Sequence, residues 1–342
     1  MCGVLQSLEQ QVEDLELNIF STVPQWFFEA SLSRSFSCYP VLTDIGLIQF
    51  DPLHEDPEQT IEALDAFLPF DHLHYQAVTE RMENSSCDLV ISDISPLGIY
   101  LADHLGLPSF LVENFTWDWI YEHYLGQFPA FGRFIRILRQ IYAKATYHIL
   151  AVPYCEEKPV DCITHPISRL PRLSKTETRK RLGIDQGDQL VIVSMGGIES
   201  GNLPLEKLQA FSEVTFLIPG DNHQLERHRN VIRIPHRTTL YHPDLIAASD
   251  AVISKIGYST LAETYHSGKP FGYISRSQFR ESPVLRNFIR STMQAVELSE
   301  EDYLEGNWSE VLDRLLSLPA VERNEPSGAG QVTSFILKTL GE

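Results

Sequence analysis

The sequence predicts an α/β protein made of two doubly wound domains, each with a parallel sheet covered by helices. Short runs of residues that are apolar on both strand faces alternate with helical patterns along most of the chain. Such runs are typical of strands buried in parallel sheets. They fall into two series, and 342 residues are enough for two hydrophobic cores. We therefore expect two Rossmann-like domains, over residues 1–155 and 174–342, joined by residues 156–173.

The first series contains predicted strands at residues 16–22, 87–93, 108–114 and 147–153. A helix that ends at Gly106 connects the second strand to the third. A doubly wound domain ordinarily opens with a central strand and a glycine-containing turn, but this sequence opens at Met1 with a helical pattern. We expect the sequence to be a truncated or mis-started form of a longer protein. The alternative is a domain that lacks this strand, which would split its sheet at the centre.

The second series contains predicted strands at residues 189–195, 214–220, 231–235, 250–255 and 270–275.

The charge and the cysteines of the chain argue against some classes of function. The net charge of −19 argues against a non-specific nucleic-acid binder. The five cysteines are scattered without a CxxC pair, so we expect a reduced, cytoplasmic protein without a zinc site.

A basic stretch at residues 131–148 allows two interpretations. It carries Arg133, Arg136, Arg139 and Lys144 among apolar residues, a pattern that could contact an anionic membrane. A half-buried helix that covers the sheet is the favoured interpretation, because the first half of the chain is strongly acidic.

Two glycine-containing segments are candidates for phosphate binding. In "VIVSMGGIESG", Gly196 and Gly197 leave a buried strand, and backbone N–H groups at such a turn suit phosphate oxygens. Asn202 stands where a P-loop requires lysine, which argues against an ATP-hydrolysing P-loop. A plain glycine turn is equally compatible with this segment.

The second segment is "SKIGYSTLAE", residues 254–263. Gly257 would allow a tight turn, and Ser259 and Thr260 would begin a helix whose N-terminus attracts anions. Glu263 follows Thr260 by three residues, so the segment also has the form of a capping box. In the functional interpretation, Glu263 instead accepts hydrogen bonds from a ribose diol.

Other polar side chains follow predicted strands, where open α/β sheets bind ligands. In the second half these are His242, Lys255, Gln278, Arg280 and Glu281, and in the first half Asp93, Asn114, Trp117 and Asp118. Solvated charges and aromatic core packing are the ordinary explanations for each of them alone.

Together these segments resemble glycosyltransferases of the two-domain class called GT-B. Residues 195–197, 257–263 and 275–281 are similar to the C-terminal domain of the family that includes the lipid-linked N-acetylglucosaminyltransferase of peptidoglycan synthesis. Residues 90–124 and 255–287 are more closely similar to the glycosyltransferase-like N-terminal region of plant L-arabinokinases and its stand-alone bacterial relatives. The closing segment "GAGQVTSFILKTL" resembles the final helix of this class, and we assign it to the second domain.

The resemblance implies transfer of a sugar from a nucleoside diphosphate, with a UDP-linked sugar favoured, to an unknown acceptor. It places the donor on the second domain and the acceptor near Asn114, Trp117 and Asp118 on the first. The implied donor-binding residues are Gly196, Gly197, His242, Lys255, Gly257, Ser259, Thr260, Glu263, Gln278, Arg280 and Glu281. Inversion at the anomeric carbon is the expected outcome.

The sequence contains few candidates for the catalytic base. The family's opening glycine-histidine loop has no counterpart before Met1, which leaves Asp93 and Asp118 as weak candidates. The sequence contains no Asp-x-Asp motif, so we expect no metal ion and no cofactor. The alternative function is a sugar-nucleotide-binding module without catalysis, related to the N-terminal region of sugar kinases.

Overall fold

The structure, a computed structural model, describes residues 1–51, 53–71, 75–195, 203–222, 224–276 and 278–341. The chain forms two compact units. The first unit comprises Met1–Phe50, Glu55–Ile167 and Pro326–Glu342, and the second comprises Asp51–His54 and Ser168–Glu325. The predicted α/β class with parallel sheets is confirmed.

The first unit contains two separate parallel sheets. One pairs β1 (Asn18–Phe20) with β2 (Ser37–Tyr39), and the other has the order β3 (Val90–Asp93), β4 (Ser109–Glu113), β5 (Tyr147–Ala151) and β6 (Cys162–Thr164). All residues of β4 are buried, whereas those of β1 are only half-buried and β3 ends at the exposed Asp93. The first unit is therefore divided into two sheets, as expected for the alternative in which the domain lacks its central strand.

Helices cover these sheets with amphipathic faces. They are α1 (Cys2–Gln11), α2 (Gln25–Ser31), α3 (Pro57–Phe67), α4 (Gln76–Asn84), α5 (Pro96–Leu105), α6 (Trp117–Glu122) and α7 (Phe131–Tyr142). In α7, Phe131, Phe134 and Leu138 face the core, as the spacing of a helix requires. The basic stretch is thus a half-buried helix, as the favoured interpretation predicts.

The second unit has one seven-stranded sheet among the residues that the structure describes. Its order is β13 (Ala295–Leu298), β12 (Phe271–Ile274), β11 (Ala251–Lys255), β7 (Gln189–Ser194), β8 (Val214–Asn222), β10 (Val231–Pro235) and β9 (Glu226–His228). Among the described strands of this sheet, only β9 is antiparallel to its neighbour. The helices are α8 (Lys175–Leu182), α9 (Leu205–Leu208), α10 (His242–Ala248), α11 (Tyr258–Ser267), α12 (Ser282–Thr292), α13 (Glu300–Glu305) and α14 (Ser309–Ser317).

The final helix, α15 (Gly328–Leu340), differs from its predicted position. It belongs to the first unit, not to the second domain assigned to residues 174–342. The apolar face with Val332 and Ile336 shares a core cluster with Val4 and Leu8 of α1. A Cβ atom on Gly328 would lie 2.0 Å from the carbonyl oxygen of His165, so only glycine fits this close approach. Burial of this face explains why the chain returns to the first unit.

Candidate functional site

The strand order of the second unit reverses at β7, which has β11 on one side and β8 on the other. The carboxyl ends of strands at such a switch point are where open α/β sheets bind ligands. Gly196 and Gly197, predicted to leave β7 as a phosphate-binding turn, lie outside the described residues. The described part of this edge is therefore built from β11, α11 and the segment after β12.

The turn from β11 into α11 lies at this carboxyl edge of the sheet. Gly257 is the N-cap of this ten-residue helix, and no side chain caps it. Its φ of −166° is ordinary extended backbone, so this turn does not use the left-handed conformation that glycine permits. Among the described residues, nothing lies within 4 Å of a Cβ atom placed on Gly257. Ser259 is exposed and Thr260 is buried.

The capping-box interpretation of Thr260 and Glu263 is wrong. The N-cap is Gly257, and the Glu263 carboxylate bonds elsewhere. No side chain caps α11, and the N-terminus of a helix attracts anions.

Glu263 is instead the centre of a buried polar network. Its Oε1 accepts from Arg169 Nε at 2.8 Å, and its Oε2 lies 2.8 Å from His242 Nδ1. Burial would raise the pKa of Glu263, but the Arg169 charge and the His242 hydrogen bond outweigh it and lower that pKa. Ser194 Oγ, at the end of β7, lies 3.2 Å from His242 Nε2. Both oxygens predicted to bind a ribose thus already have protein partners.

Lys255 ends β11 and is only 9% exposed. No hydrogen-bond partner for its ammonium group occurs among the described residues. Burial, and next the charge of Arg276, lower the pKa of Lys255 to about 8, while Glu281 and Asp51 oppose the shift. This buried cation beside an uncapped helix N-terminus makes the edge suitable for a phosphate group.

The segment after β12 contains the three predicted residues and one buried arginine that the prediction omits. Arg276, which the predicted site omits, is buried and donates to Glu281 Oε1 at 3.0 Å, and it stacks on Phe279. Glu281 is therefore engaged by a protein cation. Gln278 is exposed and Arg280 is half-buried, which leaves both near the surface of this edge.

In the first unit, each of the three predicted acceptor-side residues contacts a protein group. Asn114 Nδ2 donates to the carbonyl oxygens of Ala151 and Pro153, at 2.6 and 3.1 Å, so its amide holds the backbone. Asp118 Oδ2 lies 3.4 Å from Arg139. Trp117 Nε1 donates to Asp44 Oδ2 at 3.0 Å.

Asp44 is absent from the residues predicted for the site. Burial raises its pKa to about 6, the Trp117 hydrogen bond opposes this shift, and the charge of Asp93 adds to it. Asp93 itself is 56% exposed at the end of β3 and pairs with the Met1 amino group at 3.1 Å. The only sequence signal for Asp44 is a carboxylate in a loop, two residues before a glycine.

Three further observations bear on the predicted membrane contact and on the predicted absence of a metal. Arg133 pairs with Asp65, Arg139 with Glu122, and Lys144 with Asp103, so these cations of the basic stretch face protein carboxylates. None of the described helices combines the length and the apolar character needed to cross a membrane. Within the described ranges, no group of three or more His, Cys, Asp and Glu side chains is placed to hold a metal ion.

No family model matches the chain. It is 31% identical over 332 residues to L-arabinokinase of Arabidopsis thaliana, a match that covers 94% of this chain and 31% of that protein. The chain thus spans about a third of the length of this relative. The predicted similarity to L-arabinokinases is confirmed.

Solved structures extend the comparison. The kitacinnamycin glycotransferase superposes with a TM-score of 0.64 at 16% identity, covering 98% of this chain and 94% of that one. MurG of Acinetobacter baumannii gives 0.54 at 14% identity, with coverages of 98% and 94%. The chain has the GT-B fold. UDP-GlcNAc 2-epimerase from Neisseria meningitidis, bound to UDP-GlcNAc, gives 0.60 at 14% identity with coverages of 98% and 95%, so this fold also carries chemistry other than sugar transfer.

Proposed function

We propose that the chain binds a nucleoside diphosphate sugar on its second unit and transfers the sugar to a hydroxyl group of an acceptor. The observation that carries the proposal is the pairing of an uncapped α11 N-terminus with the buried Lys255, at the switch point of the sheet. Fixed N–H dipoles and a desolvated cation favour a group that carries negative charge. A diphosphate is such a group.

The same features suit the chemistry of transfer. The anomeric C–O bond breaks while negative charge builds on the departing diphosphate, and pre-oriented donors stabilise that charge. The N–H groups near Ser259 and Thr260, together with Lys255, would supply this stabilisation without a metal ion. Attack by the acceptor oxygen opposite the leaving group would invert the anomeric carbon.

The remaining donor contacts follow from position. His242 is held by Glu263 through Nδ1, and its Nε2 lies 3.2 Å from Ser194 Oγ at the end of β7. Gln278 and Arg280 are accessible enough to reach a bound nucleotide or sugar. The epimerase of the same fold is bound to UDP-GlcNAc, which supports a UDP-linked donor here.

The test is calorimetry with UDP-glucose, UDP-galactose and UDP-N-acetylglucosamine. We expect at least one to bind, and Lys255→Met to weaken that binding about tenfold, since a hydrogen bond to a charged group contributes about 1.5 kcal/mol. Lys269→Met is the matched control, because Lys269 is also partly buried but precedes β12 at the opposite edge of the sheet. Failure of all three nucleotide-sugars to bind would contradict the proposal.

Metal independence has its own test. We expect turnover to persist in EDTA, and activity that EDTA abolishes and a divalent ion restores would contradict this part of the proposal.

A second candidate function is a sugar-nucleotide-binding module without catalysis. It is favoured by the 31% identity to an L-arabinokinase that is about three times as long as the matched region. Binding of a nucleotide-sugar without release of its nucleotide, in the presence or absence of hydroxyl acceptors, would support this alternative over transfer.

A further inference from the structure

A network of four side chains lies entirely within the second unit: Arg169, Glu263, His242 and Ser194. Glu263 Oε1 lies 2.8 Å from both Nε and Nη2 of Arg169, and Glu263 Oε2 lies 2.8 Å from His242 Nδ1. The other ring nitrogen, Nε2, lies 3.2 Å from Ser194 Oγ. The network therefore joins α11 to the first residue of α10 and to the end of β7, at the switch point of the sheet.

The Glu263 carboxylate has little capacity left for a ribose diol. Its side chain is only 4% exposed, and its Oε1 is already engaged by two nitrogens of Arg169. Two hydroxyl groups that bound both carboxylate oxygens would have to displace the guanidinium. Bonds between two charged groups would then be replaced by weaker bonds to neutral hydroxyls, and the mostly buried Arg169 would lose its carboxylate. A ribose diol is therefore a poor competitor for Glu263.

The carboxylate instead fixes the tautomer of His242. Burial would raise the pKa of Glu263, but the Arg169 charge and the His242 hydrogen bond lower it. The group is ionised at neutral pH and can only accept hydrogen bonds, so His242 Nδ1 must carry the proton in this contact. In the neutral ring Nε2 is then the acceptor, and the Ser194 hydroxyl donates to it.

His242 is the most exposed member of the network on the ligand edge. Its side chain is 24% exposed, whereas Glu263 and Ser194 are buried. The two buried partners contact opposite nitrogens of the ring. They therefore set the orientation of the imidazole as well as the nitrogen that bears its proton.

We propose that Glu263 is a positioning residue, which acts on the nucleotide-sugar donor through His242 and not through a bond to the ribose. The inference rests on the proposed binding of the donor by the second unit. It replaces the ribose contact predicted for Glu263 with two indirect effects, a fixed tautomer and a fixed orientation of His242. Glu263 then does not distinguish ribose from 2′-deoxyribose in the donor.

The first experiment is a mutant cycle on the affinity for UDP, measured by calorimetry. Glu263→Gln keeps the size of the side chain without its charge, and His242→Asn keeps an N–H donor near the place of Nδ1. We expect each substitution alone to weaken UDP binding about tenfold, the effect of one hydrogen bond to a charged group. The double variant should bind no more weakly than either single variant, because both substitutions remove the same contact with the donor.

Glu310→Gln is the matched control for this cycle. It makes the same change of charge at an exposed position on α14, so its affinity for UDP should equal that of the wild type. If the effects of Glu263→Gln and His242→Asn add, Glu263 acts independently of His242 and the positioning role is wrong.

The second experiment compares UDP with 2′-deoxy-UDP in the wild type and in Glu263→Gln. We expect the ratio of the two dissociation constants to be the same in both proteins, within about twofold. If Glu263 accepted a hydrogen bond from the 2′-hydroxyl, that ratio would be about tenfold in the wild type and close to one in the variant. This second result would restore the ribose contact in place of the positioning role.

A spectroscopic measurement tests the inference even if the Glu263 variant does not fold. In wild-type protein labelled with [15N]histidine, the ring signals of His242 report which nitrogen carries the proton, and their absence in His242→Asn identifies them. We expect the Nδ1–H tautomer both without ligand and with saturating UDP. A change of tautomer on addition of UDP would show that the ligand takes Glu263 from His242, contrary to the inference.

The outcomes separate this inference from the function on which it rests. If the wild type binds UDP but the effects of the two substitutions add, the role given to Glu263 is wrong and donor binding stands. If the wild type binds neither UDP nor any of the three UDP-sugars named above, the proposed function fails and the inference fails with it.

Discussion

Both units carry ion pairs at the surface, but more of the buried pairs lie in the second unit. There, Arg169–Glu263 and Arg276–Glu281 are largely buried and Arg179, fully buried, reaches Asp250, while pairs such as Arg290–Glu297 are exposed. In the first unit Arg133–Asp65 and Lys144–Asp103 lie at the surface, with Glu113 and its partners Lys158 and His148 as a buried exception.

The difference matters because a buried charge depends on its partner far more than an exposed one does. The second unit holds fixed charges around a ligand edge, which suits a ligand of constant charge. At the edge of the first unit, Asp44 keeps one oxygen without a hydrogen-bond partner among the described residues, and burial raises its pKa to about 6.

The largest expected effect is the loss of the buried network. Glu263→Ala leaves Arg169 and His242 without their carboxylate, and removal of one partner of a buried pair costs about 3–5 kcal/mol. Urea unfolding measures this loss. Glu310→Ala, at an exposed position on α14, is the control and should change little. If Glu263→Ala lowers the free energy of unfolding by less than about 1 kcal/mol, solvent screens the network as it screens ion pairs at the surface.

The next effect tests the docking of α15 on the first unit. Gly328→Ala would place its Cβ 2.0 Å from a carbonyl oxygen of the backbone, so we expect a loss of about 1–3 kcal/mol, the usual cost of overpacking. Gly330→Ala is a control in the same helix, because its Cβ would meet nothing within 4 Å. It should stabilise the helix by about 0.5–1 kcal/mol. Equal effects of the two variants in thermal unfolding would contradict this packing.

The pH dependence of donor binding follows from Lys255. Its pKa of about 8 lies below the ordinary lysine value, so the ammonium is charged below pH 8 and loses its charge as the pH rises through that value. Donor affinity should therefore weaken above pH 8, by about tenfold where the cation is lost. Lys255→Met should bind with the same weaker affinity at every pH. Calorimetry between pH 6.5 and 9.5 tests this, and a wild-type affinity that is constant over the range would remove Lys255 from the site.

The smallest effect lies at the surface of the first unit. Arg133 and Asp65 are each about half exposed, so we expect Arg133→Gln to cost about 0.5 kcal/mol or less. A loss as large as that for Glu263→Ala would abolish the contrast between the two units.

Much of the fold could be predicted because the central strands are apolar on both faces. The five predicted strands of the second unit, 189–195 to 270–275, all occur within one or two residues of their predicted bounds. Strands β2, β6 and β9 are three residues each and carry polar or exposed side chains, so they give no apolar run. The place of α15 in the sequence likewise does not indicate that it packs on α1.

The site was less predictable because its contacts join distant residues. Local spacing made Glu263 look like a helix cap, but its partner Arg169 lies 94 residues away. Asp44 and Trp117 are 73 residues apart, and neither segment alone indicates a hydrogen bond. Lys255 and the turn at Gly257 could be predicted, since both belong to one strand-to-helix segment.

The return of α15 to the first unit sets an order of events during protein synthesis. Residues 168–325 emerge from the ribosome before the helix that completes the first unit. The second unit can therefore fold first, as a continuous stretch apart from residues 51–54. Until residues 328–340 are made, the apolar face of α1 around Val4 and Leu8 lacks one of its packing partners, and apolar surface exposed in this way promotes aggregation.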